Sequence, residues 1–121
     1  MKPAFEAGQN IAMKVPVHEY DQTVAFYKDI LGFEVIEPSS SNESASTTFK
    51  FGDKVLWIDK KPNISHAEIW LEVVTDNYEA ASAYFEKQGC IRRDEIESLP
   101  DGFNGFWLSS PANIIHLISQ D

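Results

Sequence analysis

Apolar and polar residues alternate over residues 10–17. Ile11, Met13, Val15 and Val17 fall on one side, and Asn10, Ala12, Lys14 and Pro16 on the other. A period of two is that of a half-buried strand, and Pro16 marks an edge or a strand end. The period then changes. Tyr20, Val24, Tyr27 and Leu31 recur at i, i+4, i+7 and i+11, which predicts a helix over 20–31 with that stripe against a sheet. Gly32 is placed to close it in the left-handed conformation. A short strand over 33–36 follows, then a polar, serine-rich loop over 37–46 that is expected to be the most mobile segment. Runs rich in aromatic and β-branched residues at 47–51 and 54–59 read as a hairpin around Gly52-Asp53. Residues 1–9 are expected to be a loose arm.

The same order then recurs. After the connector at 60–65, Ala67, Ile69, Leu71 and Val73 share one strand face, and His66, Glu68, Trp70 and Glu72 the other. Asp76 with Glu79 three residues on has the form of a capping box. The helix predicted from there to about Gln88 carries an aromatic pair, Tyr84-Phe85, as the first carries Phe26-Tyr27. It ends at Gly89, 57 residues after Gly32. A short strand near Ile91, an acidic turn-rich stretch at 94–104, and a hairpin of 105–109 with 113–119 complete the order βαβββ–βαβββ. A repeat on this scale sets the architecture before any motif is read. The expected fold is α+β: two paired βαβββ modules, about 10–59 and 66–119, in one domain spanning 1–121. They should form a curved mixed sheet around a cup, with the helices on the outer face.

The rows that the helices leave uncovered then point into the cup. In the first strand that row is Ala12, Lys14 and Pro16; in the fifth it is Glu68, Trp70 and Glu72; in the last it is read as Ile114, His116 and Ile118. Trp57 and Trp107 lie in neighbouring strands. Tryptophans mixed with a few charged groups suit a small-molecule pocket, which combines apolar walls with sparse polar anchors. The alternative is a solvent-facing sheet. The substrate-binding candidates are Lys14, Trp57, Trp70, Glu72 and Trp107.

Charge and cysteine content narrow the classes. With 10 Lys and Arg against 19 Asp and Glu the formal charge is −9, which disfavours nucleic acid and anionic membrane surfaces as partners. Cys90 is the only cysteine, so no intrachain disulfide is possible. No basic-then-apolar leader and no membrane-length apolar run is present, and a cytoplasmic location is the expectation.

The stretch VPVHEYDQTVAFYKDILGFEV, with its FY-x-x-x-LGF ending, and the closing SPANIIHLIS resemble the vicinal oxygen chelate superfamily of glyoxalase I, bleomycin-binding proteins and extradiol dioxygenases. The second is a degraded form of that family's DP-x-GN-x-x-E-L hairpin. The resemblance covers essentially the whole chain. It implies paired βαβββ modules around a cup and, often, a homodimer. Metal-dependent members place ligands on the first, fifth and last strands, typically His, His and Glu, sometimes with another from the fourth. Alignment on the aromatic pair puts Ala12, which has no donor atom, at the first position. An alignment with one extra residue near Thr75 puts Glu68 at the second, and alignment on Asn113 puts His116 at the third. Asp59 is a further candidate only if its face cooperates. His18 and His66 are expected to be exposed turn residues.

Three readings follow. The first is a protein that binds a small organic molecule in an aromatic-lined cup without a conventional metal or other cofactor. Glu68 and His116 are then the candidate catalytic pair, with the carboxylate orienting the imidazole for general-base work. The second is a glyoxalase-type lyase or isomerase with a divalent metal on Glu68 and His116. The third is a non-catalytic structural or regulatory dimer with a vestigial cup, and it predicts Trp70 and Trp107 packed on each other.

Overall fold

The computed structural model describes residues 2–36 and 46–120. The loop expected at 37–46 lies outside the described residues except for Ser46, which opens a strand. The fold is α+β, as the repeat implied. The chain divides into two compact units, Gln9–Ile69 and a second made of Trp70 onward together with the stretch through Gly8.

In the Gln9–Ile69 unit the elements are β1 (Phe5–Pro16), α1 (Tyr20–Ala25), β2 (Val35–Ile36), β3 (Ser46–Phe51) and β4 (Lys54–Lys61). Antiparallel pairs join β2 to β3 and β3 to β4, and β4 runs parallel to β1. The β3–β4 turn is at Gly52, whose φ of 66° lies in the left-handed region that glycine enters most cheaply. Val15, Phe49, Leu56 and Ile58 form the core, with Ile11, Met13, Tyr20, Val24 and Tyr27 packed on it. The predicted stripe therefore does face the sheet, with one exception. Leu31 is 45% exposed. The helix runs on from α1 as a π-helical segment over Phe26–Ile30, with Leu31 N–H bonding to Phe26 carbonyl at 2.9 Å. The wider π turn inserts a residue, which carries Leu31 off the face that an ideal 3.6-residue period assigns it.

The second unit holds β5 (Glu68–Thr75, from Trp70 onward), α2 (Tyr78–Lys87), β6 (Ile91–Arg92), β7 (Gly105–Ser109) and β8 (Ile115–Gln120). Here β5 runs parallel to β8, while β8–β7 and β7–β6 are antiparallel. Its core is Ala81, Phe106, Leu108 and Ile118, with Val73, Tyr78, Phe85 and Phe5 against it. The cap of α2 is one residue later than expected. Asn77 accepts from Ala80 N–H at 2.9 Å, while Asp76 accepts from Ala4 N–H at 3.1 Å.

That last contact belongs to a larger difference. The stretch expected to be a loose arm is strand from Phe5 onward. Phe5 stacks against Tyr84 and Phe85 with ring centroids 6.1 and 5.2 Å away. A Cβ added at Gly8 would collide with the Glu72 side chain, so the backbone of β1 passes hard against β5 at that point. Mixed polar composition hid this strand, and its order comes from tertiary packing rather than propensity. Among the described residues no helix is long and apolar enough to cross a membrane.

Candidate functional site

Each unit has one helix-covered sheet face and one opposite it, and strand parity assigns every side chain to one or the other. In the Gln9–Ile69 unit Ile11, Met13, Val15, Leu56 and Ile58 are on the helix side. The other side carries Asn10, Ala12 and Lys14 from β1, Val55, Trp57 and Asp59 from β4, and Ser46 and Thr48 from β3. The register arranges these in layers across the strands. Ala12 lies opposite Trp57 and Trp57 opposite Thr48; Lys14 lies opposite Asp59 and Asp59 opposite Ser46.

Two short hydrogen bonds join the ionic layer. Lys14 Nζ donates to Asp59 Oδ2 at 2.8 Å and Ser46 Oγ donates to Asp59 Oδ1 at 2.6 Å. The Lys14 and Asp59 side chains are only 7% and 15% exposed. Trp57 in the next layer is 38% exposed. Its Nε1–H donates to Asn10 Oδ1 at 2.8 Å, so what it leaves to solvent is carbon. Lys14 and Trp57 thus stand on one face, a placement that the sequence pattern left open for Trp57. Asn10, Ser46 and Thr48 were missed; Asn10 was visible as the row-mate of Ala12 and Lys14, whereas Ser46 was read as loop.

In the other unit Val73, Phe106, Leu108 and Ile118 mark the helix side. Trp70 and Glu72 of β5 therefore point the other way. Trp107 lies opposite Leu117 and Leu117 opposite Glu72, which puts all three on one side with Ser119, whose Oγ donates to Glu72 Oε2 at 3.2 Å. The rings of Trp70 and Trp107 meet edge to face, 5.0 Å apart at 67°, and the residues are 3% and 6% exposed. Trp107 Nε1–H donates to Glu97 carbonyl at 2.9 Å, tying the turn-rich segment before β7 to the indole. In that segment Arg93 donates to Glu95 at 2.6 Å and holds its carboxyl below the usual carboxylate range.

The last strand corrects the sequence reading. Leu71 pairs with His116 and Val73 with Ile118. His116 and Ile118 are therefore on the helix side, not in the row opposite it. His116 Nδ1 hydrogen-bonds to Ile114 carbonyl at 3.0 Å. Ile114, Ile115, Leu117 and Ile118 make a nearly continuous apolar run, and such a run carries no parity signal. Asn113 adopts φ 63°, so it occupies the glycine slot of the DP-x-GN-x-x-E-L hairpin. Counted from Pro111 on that footing, the glutamate slot falls on Leu117. Glu68 opens β5 and, two residues before Trp70, shares its parity. His18 and His66 are exposed, as expected.

These positions test the metal centre that the resemblance implies. The first-strand slot holds Ala12. Counted back from Tyr84 as Ala12 is from Phe26, the fifth-strand slot holds Trp70; counted with the extra residue near Thr75 it holds Glu68, which shares the parity of Trp70, and the last slot holds Leu117. Ala12, Trp70 and Leu117 offer no lone pair that binds zinc or manganese, and Glu68 by itself is one donor where a zinc centre takes three. Asp59 does lie on the required face, but its two oxygens are engaged by Lys14 and Ser46. Among the described residues no three His, Cys, Asp or Glu side chains gather as a metal-binding group. The residues present do not fit the group.

Comparison with known proteins agrees on the fold. The chain has the fold of the vicinal oxygen chelate proteins. It is similar to the Mn(II)-bound glyoxalase of Novosphingobium aromaticivorans, at 21% identity and a TM-score of 0.69, over 99% of this chain and 40% of that one. It is similar to homoprotocatechuate 2,3-dioxygenase of Arthrobacter globiformis, at 18% identity and a TM-score of 0.62, over 98% of this chain and 37% of that one. The chain thus spans well under half of these enzymes. A glyoxalase/bleomycin resistance protein/dioxygenase superfamily member from Vibrio splendidus matches over nearly its full length, 97%, at 13% identity and a TM-score of 0.55. No family model matches the sequence, and no curated protein does.

Proposed function

We propose that this protein recognises a small organic molecule without a bound metal, on the face of the Gln9–Ile69 unit that carries Trp57. One observation carries the reading: the first-strand and last-strand positions that the resemblance gives to metal ligands fall on Ala12 and Leu117, which leaves Glu68 as the one donor of the three, while Trp57 keeps an exposed carbon surface with its one polar atom satisfied. Its register neighbours Ala12 and Thr48 both carry small side chains. Lys14 serves as part of the wall through its pair with Asp59. Glu68 and His116 are not kept as a general-base pair, because His116 leaves β8 on the helix side. Pairing into a homodimer, cytoplasmic residence and the lack of nucleic-acid or membrane partners remain parts of this proposal.

A second reading has its own support. Trp70 and Trp107 are buried against each other, which is the packing expected of a non-catalytic structural or regulatory member. In that reading the aromatic residues of the second unit are core, and Glu72 is a half-buried hydrogen-bond partner of Ser119.

Two measurements test the proposal. Zn²⁺, Mn²⁺, Ni²⁺ and Fe²⁺ should leave the melting temperature unchanged, since only ligands that bind the native state raise it; a rise would restore the metal-dependent lyase or isomerase. Small aromatic compounds should quench tryptophan emission in the native chain and not in Trp57→Phe. Quenching that survives the substitution would move the site elsewhere, and no quenching at all would favour the structural reading.

A further inference from the structure

We propose a further ligand site in the Gln9–Ile69 unit, a groove of about 510 Å³ that takes a flat aromatic ring. Its described lining is Gly32, Phe33, Glu34, Lys50, Phe51 and Gly52. Phe51 shares the strand parity of the buried Phe49, whereas Thr48 and its register partner Trp57 have the other. The groove and the Trp57 face therefore belong to opposite sides of the sheet.

The groove follows from how two elements end. The antiparallel register sets Val35 opposite Phe49, and carried two residues on it brings Phe33 opposite Phe51. Tyr27 of the helix packs on Phe33 and Phe49, with ring centroids 6.2 and 5.9 Å away. A Leu31 kept on the helix stripe would come one turn further along that face. The π turn carries it outward instead, and Gly32 follows with no side chain. Gly52 forms the wall at the strand end in the same way. A Cβ built on either glycine would meet no atom within 4 Å, and both have positive φ, 75° and 66°. Backbone conformation thus favours, at both positions, the residue that leaves the wall bare. Phe49 is fully buried, while Phe51, two residues on, is 39% exposed. π turns within helices are frequent at functional sites.

The rings define the ligand class. Phe33 and Phe51 meet edge to face, 5.7 Å apart at 69°. That arrangement leaves ring face uncovered by the partner, and an aromatic ligand matches its quadrupole as an aliphatic one does not. Stacking there removes the exposed carbon of Phe51 from water, which favours binding. The volume lies in the range of small-molecule pockets, roughly 300–1,000 Å³. Lys50 and Glu34 bring one charge of each sign, and both are exposed, so the sheltered part of the lining is aromatic.

Benzyl alcohol and cyclohexylmethanol are the probes, since they share the hydroxymethyl group and differ in the ring. Titrated into the isotope-labelled full chain and followed by NMR, benzyl alcohol should shift the amide signals of Gly32, Phe33, Phe51 and Gly52. It should bind about fivefold tighter than cyclohexylmethanol, the scale of an aromatic pair beyond its buried area. Phe51→Leu, which keeps apolar bulk, should bring the two alcohols level, and Phe51→Ala should abolish the shifts at Gly32 and Phe33. The remaining amide signals report that each variant stays folded. Equal affinity of the two alcohols for the unaltered chain overturns the aromatic class. Absence of shifts at the four amides, or shifts that survive Phe51→Ala unchanged, overturns the groove as a site. Shifts confined to the Trp57 indole N–H also overturn it, and leave the proposed function standing.

Discussion

Lys14 and Asp59 illustrate how one residue's worth depends on its partner. Both side chains are largely removed from water, 2.8 Å apart, with Ser46 completing the layer. Removing one member leaves the other's charge buried. Asp59→Ala should therefore destabilise the chain by about 3–5 kcal/mol in urea unfolding. The double variant Lys14→Met with Asp59→Leu should recover most of that loss, because apolar replacement of both members of a buried pair is often neutral. Additive losses would mean that the pair is better solvated than its exposure implies. The sequence put Lys14 on the right row by simple alternation. It did not reveal that Asp59 is Lys14's partner, since pairing register depends on the hairpin and the parallel crossover together. Nor did it reveal Asn10 as the anchor of Trp57, an interaction between residues 47 positions apart.

At the scale of elements the outcome depended on how clean each period was. β1 and β5 alternate plainly, and their faces are as the pattern implied. The first helix was legible up to its end, where the π-helical segment moves Leu31 outward; nothing in a 3.6-residue template signals an inserted residue. β8 was read one residue out of phase. Its apolar run supports either parity, and only the pairing of Val73 with Ile118 decides. Stability measurements can check that decision. Ile118→Ala, in the core with Ala81 and Phe106, should cost about 2–5 kcal/mol. His116→Ala should cost far less, because its one described hydrogen bond is to the carbonyl of Ile114 two residues back. Equal losses would contradict the observed register.

At the scale of the whole molecule the repeat was the most legible feature, since both βαβββ orders and both closing glycines stand in the sequence. The division of the chain was not. The stretch through Gly8 is counted with the unit that begins at Trp70, although some 60 residues separate them in sequence. Phe5 has no periodic neighbours to announce its burial, and its contacts with Tyr84 and Phe85 exist only in the folded chain. A chain lacking residues 1–8 should therefore lose amide-exchange protection in α2 and β5 first, with α1 and β3 protected as before. Uniform loss of protection across both units would show that they open together rather than as separate cooperative segments.

The recess formed by Ala4, Glu6, Val74, Thr75, Asp76 and Gln120 brings the two extremes of the described chain side by side. That proximity is a design for circular permutation. Opened in the connector at 62–65, where Pro62, Asn63 and Ser65 are exposed, and rejoined from Gln120 to Ala4 by a short flexible linker, the polypeptide would run through nearly all of one unit before entering the other. Each closing contact would become local in sequence, and a lower contact order favours faster folding. In the natural order that first strand segment is synthesised long before the residues it packs against, and it must wait for them.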